Sequence, residues 1–304
     1  KETFSAAIFF GFTGTPIHTE NQKKMSTTST VFGNELHRYS IADGIRDRNV
    51  LGFDPYMVTT MRDSDVRQTV ALAKAKARDM ADALADPAKA AVYNRYMNPA
   101  QVPMAGYAQE DGAYVKGIED ELPDAQYETE QHRRLVAEDI LRGWVQLSRN
   151  GKFHAIFATA SIAEAIAYYR LFKAMGSSLQ ITALFDPNID NNGNGLVKED
   201  GLIEILQDYN RLFGQDFDIA GHARFKKDVA SRLAHKDPYK RVDQTPGQEL
   251  NLLIVVDQML TGFDSKWVNT LYLDKVLQYE NIIQAFSRTN RLFGPDKPFG
   301  TIRY

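Results

Sequence analysis

Residues 284 to 294 read "QAFSRTNRLFG", and two of them are cations with no local partner. On a helix, Gln284, Arg288 and Arg291 stand at i, i+4 and i+7 and share one face, while Ile282, Phe286 and Phe293 occupy the opposite one. The positions three and four away from Arg288 are Gln284, Ala285, Arg291 and Leu292, and those around Arg291 are Ser287, Arg288, Gly294 and Pro295. None is acidic, so neither arginine can pair within the helix. Such a face suits an anion brought from elsewhere; an ordinary solvated face is the plain alternative.

Two other stretches carry polar groups at a strand end. In "LNLLIVVDQMLTGFD", Leu252 to Val256 are continuously apolar, as in the centre of a parallel sheet, and Asp257 to Asp264 follow at the carboxyl end, where open α/β sheets bind ligands. Thr261 offers a hydroxyl, Asp264 a carboxylate, and Gly262 lets a ligand approach the backbone closely. A simple strand-to-helix turn would account for the same residues. In "FHAIFATASIAEAIAYY", Ser161 and Glu164 form an S-x-x-E capping box, and Thr159 precedes a helix N-terminus that could receive a phosphate. Capping alone also explains that pattern.

These groups must be positioned by alternating elements. After Lys152 the chain reads as strand "FHAIFA", helix "SIAEAIAYYRLFKAM", strand "LQITALF", two helical segments within 200 to 235, strands "LNLLIVV" and "VNTLYLD", and the helix of the two arginines. This alternation predicts a parallel sheet covered on both faces. Residues 65 to 97 and 126 to 149 have helical composition, with Pro87 as a break or the first turn of a second helix. Residues 30 to 60 read as one or two strands or turns, and "SAAIFFGFTGTPI" as a buried strand entering a tight loop. The stretch 109 to 124, with six acids and one lysine, reads as a solvated loop turned away from any polyanion.

Composition narrows the function. A balance of 36 basic against 39 acidic residues argues against a broad grip on nucleic acid through bulk charge, though a narrow track of phosphate contacts stays open. No window approaches the roughly 18 apolar residues of a membrane span, so no membrane role is expected. There is no cysteine, which fits a reducing cytoplasm, and no two of the six histidines are spaced as zinc ligands, so no metal site is expected. "DNNGNGLVKEDG" resembles a calcium loop but ends on Gly201 where the bidentate Glu is needed. "IEDELPD" looks like an acidic magnesium motif without the strand that should lead into it. Neither G-x-x-x-x-G-K-[ST] nor G-x-G-x-x-G occurs, so the chain alone is not expected to hold a nucleotide triphosphate with its magnesium. It starts at Lys1 and stops inside the strand-like "FGTIRY", as a piece of something longer would.

In order along the chain, "GFTGTP" (11 to 16), "LTGFD" (260 to 264) and "QAFSRTNR" (284 to 291) resemble motifs III, V and VI of superfamily 2 helicases and translocases. The longer wording, "FFGFTGTPI", "LLIVVDQMLTGFDS" and "QAFSRTNRLFG", is similar to the motor (R) subunit of type I restriction-modification enzymes. The motifs span residues 9 to 294, and the middle, 60 to 150, aligns only as helical filler. The resemblance implies a RecA-like parallel α/β sheet with helices on both faces: residues 1 to 33 would be the tail of a first RecA-like domain, and 34 to 304 the second, with a largely helical insertion at about 60 to 150.

It further implies an ATP-dependent DNA translocase within a type I site-specific deoxyribonuclease, needing ATP and Mg2+ and working on double-stranded DNA with modification and specificity subunits. Thr13, Gly14, Thr15 and Pro16 would couple ATP state to DNA grip. Thr159 and Ser161, near the motif IV position, and Thr261 would lie by the DNA backbone. Gly262, Asp264, Gln284, Arg288 and Arg291 would face the nucleotide, the two arginines reaching the γ-phosphate as catalytic groups in an otherwise exposed, unpaired face. Ser287 departs from the glycine that many superfamily members have before the first arginine, which favours a restriction motor over a generic helicase. The phosphate loop, the acidic magnesium motif and the nuclease would lie outside the chain, leaving it inactive alone. Another superfamily 2 helicase or remodelling ATPase, or a RecA-like interaction module without chemistry, are the alternatives.

Overall fold

The computed structural model describes residues 11, 13–14, 27–109, 112–122, 127–186, 195–245, 247–256, 258–260, 262–277 and 280–304. In chain order the elements are α1 (Thr28–Phe32), α2 (Ile41–Arg46), β1 (Phe53–Tyr56), α3 (Asp63–Ala75), α4 (Met80–Ala85), α5 (Pro87–Met97), β2 (Tyr107–Ala108), β3 (Tyr114–Val115) and α6 (Glu130–Leu147). There follow β4 (His154–Thr159), α7 (Ile162–Ala174), β5 (Ile181–Leu184), α8 (Gly195–Phe213), α9 (His222–Leu233), β6 (Leu252–Val255), β7 (Val268–Asp274), α10 (Glu280–Phe286) and β8 (Gly300–Arg303).

The apolar runs chosen from the sequence become the middle of one six-stranded sheet of order β1-β8-β7-β4-β6-β5, with every pairing parallel. Each position of β4 and β6 is buried, so both faces of the sheet centre are covered, which is why β6 and the middle of β4 can be continuously apolar rather than alternating. The predicted parallel α/β sheet is therefore what is found. Its register slips once, between His154 and Ala155, where Asn269 is the extra residue of β7 and its amide donates to the Leu147 carbonyl (3.1 Å). Edge strand β1 contains Pro55, which an interior strand would not tolerate.

Helix α7 lies against β4, β5 and β6, with Tyr168 packed edge-on to Phe157 (4.7 Å between centroids) and its hydroxyl donating to Asp274 (2.6 Å). Helix α8 comes close to α7 at Gly201, where a Cβ would overlap Ile166, and ion pairs Arg170–Glu204 (2.8 Å) and Lys173–Glu204 (2.9 Å) seal the edge of that contact. Gly195 to Gly201 are helical, so these positions do not form the second half of a calcium loop; residues 190–194 lie outside the described residues. Arg232, fully buried, lies 3.9 Å from the centre of the Phe213 ring and 4.0 Å from that of Tyr239, and donates to the Gln248 carbonyl (2.7 Å).

The chain divides into two compact units, Lys1–Met57 with Gly143–Tyr304, and Val58–Arg142. The second is mostly helical. Pro87 opens α5, with the Asp86 carboxylate accepting from Ala88 N (2.7 Å) and Lys89 N (3.2 Å), and three helices occupy the stretch 65 to 97. Its apolar residues gather as Val66, Val70, Val102 and Ile118 in one cluster and Ala71, Ala75, Ala83 and Tyr93 in another. The acidic stretch 109 to 124 is not the plain solvated loop expected: it contributes β3, buries Ile118, and ties Glu121 to Lys74 and Tyr114 to Asp120, so these acids find donors within the same unit. Among the described residues no helix is long and apolar enough to cross a membrane.

Candidate functional site

The loop after β6 is shaped by two left-handed residues, Met259 (φ 64°) and Gly262 (φ 69°). At Gly262 nothing occupies the space a Cβ would fill, so the backbone is open to an approaching group. Phe263 turns inward and Asp264 outward. Ser265 then fixes the return of the chain: its hydroxyl donates to the Leu233 carbonyl (2.8 Å) and accepts from Trp267 N (3.0 Å). Trp267 stacks on His235 (3.9 Å, 12°) and meets Phe293 edge-on (4.8 Å).

Helix α10 is shorter than the sequence suggested. It ends at Phe286, so Arg288 and Arg291 follow the helix instead of sharing a face of it with Gln284. Side chains claim its last carbonyls: Ser287 Oγ donates to Ile283 O (2.6 Å), Arg288 Nε to Gln284 O (3.0 Å) and Thr289 Oγ1 to Phe286 O (2.9 Å). The chain then sinks inward at Thr289 and Asn290, and Asn290 O accepts from Leu51 N (2.8 Å). Gly300 has to be glycine because a Cβ there would overlap the Thr289 hydroxyl.

The expected unpaired basic face is likewise corrected. Arg291 Nε donates to Asp264 Oδ1, Arg291 Nη1 to Asn290 Oδ1 (3.1 Å), and Arg288 Nη1 to the Phe263 carbonyl. The anion that local pairing rules could not supply comes from the loop after β6. Electrostatics follow the contacts: the bond from Arg291 holds the Asp264 carboxyl below its usual range, and burial, with Arg291 nearby, lowers the Arg288 pKa. The pair stays accessible, with Arg291 and Asp264 side chains 35% and 65% exposed.

At the end of the neighbouring strand β4 the outcome differs. Thr159 is fully buried and its hydroxyl donates to Val255 O (3.2 Å) and Ser161 O (3.3 Å), so the hydroxyl is turned into the fold. Ser161 caps α7, its Oγ accepting from Glu164 N (3.2 Å), and is 9% exposed. Of the predicted coupling residues, Thr13 and Gly14 are exposed, while Thr15 and Pro16, like Thr261, lie outside the described residues.

A family described as Type I restriction enzyme subunit R domain 3 matches residues 151–304, just over half of the chain. The chain belongs to the R-subunit family of type I restriction enzymes. A SWI2/SNF2 ATPase family also matches residues 1–90. This R-subunit chain is 31% identical to the type I restriction enzyme SauCOLORF180P endonuclease subunit of Staphylococcus aureus, over 99% of the chain and 28% of that protein. It is equally similar, at 31% over 99% and 28%, to the SsaAORF53P endonuclease subunit of Staphylococcus saprophyticus. The chain thus spans little more than a quarter of the length of these curated relatives. Among solved structures, an ATP-dependent type ISP restriction-modification enzyme, LlaBIII bound to DNA, matches with a TM-score of 0.39 and 15% identity, covering 90% of this chain and 13% of that one.

Within this R-subunit chain Asp264, Gln284, Arg288 and Arg291 come together, Gln284 through its carbonyl, and Gly262 directly precedes Phe263, whose carbonyl Arg288 holds. Two basic residues that motif spacing did not mark also belong to the neighbourhood. Lys236 follows the left-handed His235 (φ 49°), and its charge helps to hold the Asp264 carboxyl low. Lys297 is buried behind Arg291, donating to the carbonyls of Lys266 (3.0 Å) and Val268 (2.7 Å). Among the described residues no three His, Asp or Glu side chains cluster to hold a metal ion.

Proposed function

We propose that in the intact R subunit this chain supplies the motif V and VI half of an ATP cleft and part of a double-stranded DNA track. The observation that carries the proposal is the meeting of Arg288 and Arg291 with Gly262 and Asp264: two guanidiniums beside an open stretch of backbone at a sheet end. Bound ATP supplies the γ-phosphoryl group whose transfer to water would drive translocation. A phosphate carries more charge than the single carboxylate now on Arg291 and matches the guanidinium fork, so it can displace Asp264 from an exposed pair. Arg288 is already desolvated and fixed by the Phe263 and Gln284 carbonyls, which limits the reorganisation needed when charge develops on the transferring group.

In this scheme residues 1 to 33 close a first RecA-like domain and 34 to 304 form the second, with the helical stretch at about 60 to 150 as an insertion; the separate compactness of Val58–Arg142 supports that division. The triphosphate and Mg2+ would be held chiefly by another domain of the intact subunit, and this chain alone would be inactive. Ser161 and Thr261 would lie along the DNA backbone, and Thr13 to Pro16 would couple the two activities. Modification and specificity subunits would be the protein partners, in the cytoplasm.

Substituting Arg291 tests the assignment. In the intact subunit Arg291→Ala should lower DNA-stimulated ATP hydrolysis by roughly 10³ or more, the scale of a finger arginine, with DNA binding little changed. Normal turnover in that variant would sink the proposal.

A further inference from the structure

Lys297 is a lysine of an unusual kind. Its side chain is wholly buried, and among the described residues no carboxylate pairs with it. Burial, with Arg291 nearby, lowers its pKa to about 7. A buried ammonium without a counter-ion is costly, and an apolar side chain of similar length would fill the same volume. What the amine adds is two hydrogen bonds, to Lys266 O and Val268 O, in the chain leading from Asp264 into β7.

The two strands of chain so joined are those that carry the site. Lys266 follows Asp264 by two residues, and Lys297 follows Arg291 by six. On the solvent side they are bridged by Arg291 and Asp264, between them Phe293 packs against Trp267, and on the inside they are bridged by Lys297. The solvent-side bridge is the one a nucleotide would open, and the aromatic contact is not directional enough to fix a guanidinium. We propose that Lys297 is a positioning residue, whose buried amine holds the two chain segments in register so that Arg291 stays aimed when Asp264 is displaced. This rests on the nucleotide role of the arginines proposed above.

The test uses the full-length R subunit in its restriction complex. Lys297→Met keeps the stem and removes the donor; kcat for DNA-stimulated ATP hydrolysis should fall roughly ten- to a hundredfold, as for a displaced catalytic group, with KM for ATP little changed. Placed on Arg291→Ala, the same substitution should cost almost nothing further, because a residue acting through Arg291 has nothing left to position. A full additional loss in that background, or wild-type kcat in Lys297→Met alone, would overturn the proposal. Should Lys297→Met fail to fold, Lys297→Leu, which likewise removes the donor, is subjected to the same cycle and judged by the same outcomes. Normal turnover in Arg291→Ala would instead remove the underlying nucleotide assignment, so the two failures are distinguishable.

Discussion

At the carboxyl end of β4 the polar side chains are satisfied inside the protein. Thr159 gives its hydroxyl to Val255 O, Ser161 caps α7, and both are shielded from solvent. At the carboxyl end of β6, the adjacent strand, the polar groups are charged, partly exposed and held by contacts that a stronger anion can replace. Both strand ends sit where α/β sheets bind ligands, and both carry a hydroxyl or carboxylate in a suggestive spacing. The difference is in the partners: a group that already has a buried internal partner supports the fold, whereas a cation held by one exposed carboxylate is free to exchange it.

Acid should have the largest effect, and it acts at the opposite, amino end of β4. His154, at the amino end of that strand, faces His235 with Nε2 to Nε2 2.7 Å, an arrangement that needs one donor and one acceptor and therefore cannot hold two protonated rings. Burial lowers the pKa of both from 6.5, with His235 adding to the effect on His154, while Asp243, 4.0 Å from His235 Nδ1, opposes it. Since the folded pKa values are depressed, the unfolded chain takes up protons first. The stabilisation is fully present above about pH 6.5 and is lost as pH falls below it. The Arg291–Asp264 pair persists through that window, because the bond from Arg291 holds the Asp264 carboxyl below its usual range. Denaturant melts between pH 7.5 and 4.5 should show falling stability, and His235→Gln should flatten the slope. His222 is also lowered by burial, so an unchanged slope in His235→Gln would transfer the effect away from this pair.

Thr159→Val should give the next largest effect. The substitution preserves shape and removes the hydroxyl with its bond to Val255 O inside the sheet, at a cost of about 0.5 to 1.5 kcal/mol. ATP turnover per folded intact subunit should not change. If DNA affinity fell more than the folded fraction, Thr159 would belong with the exchangeable groups after all.

How much of this contrast was legible in the sequence follows from the range of each interaction. The Ser161 cap could be read directly, because a cap is made within three residues of itself, and the continuous apolar runs of β4 and β6 announced buried parallel strands. Strand order could not be read, since it depends on which runs meet across the chain, and β1 was obscured by Pro55. The extent of α10 was overestimated because Ile282, Phe286 and Phe293 keep a helical spacing while Ser287, Arg288 and Thr289 take the carbonyls that would continue it. The absence of a local acid near Arg291 was correct, but its partner Asp264 is 27 residues away and only the fold brings it there. Lys297 left no pattern at all, for its partners are backbone carbonyls, which every residue has.

The smallest effect on stability should come from Asp264→Ala, and its smallness is the informative part. Two charges in contact suggest a strong bond, yet Asp264 is 65% exposed and Arg291 35%, so water competes for both, salt screens them, and ordering a long arginine side chain opposes the attraction. Pairs of this kind contribute about 0 to 1 kcal/mol, less than the Thr159 hydroxyl. Thermal unfolding of Asp264→Ala should therefore differ little from that of the parent chain, and the remaining difference should shrink as salt is raised. A loss larger than that of Thr159→Val would mean that Asp264 fixes the loop after β6 rather than resting on an arginine whose stronger partner is an incoming anion.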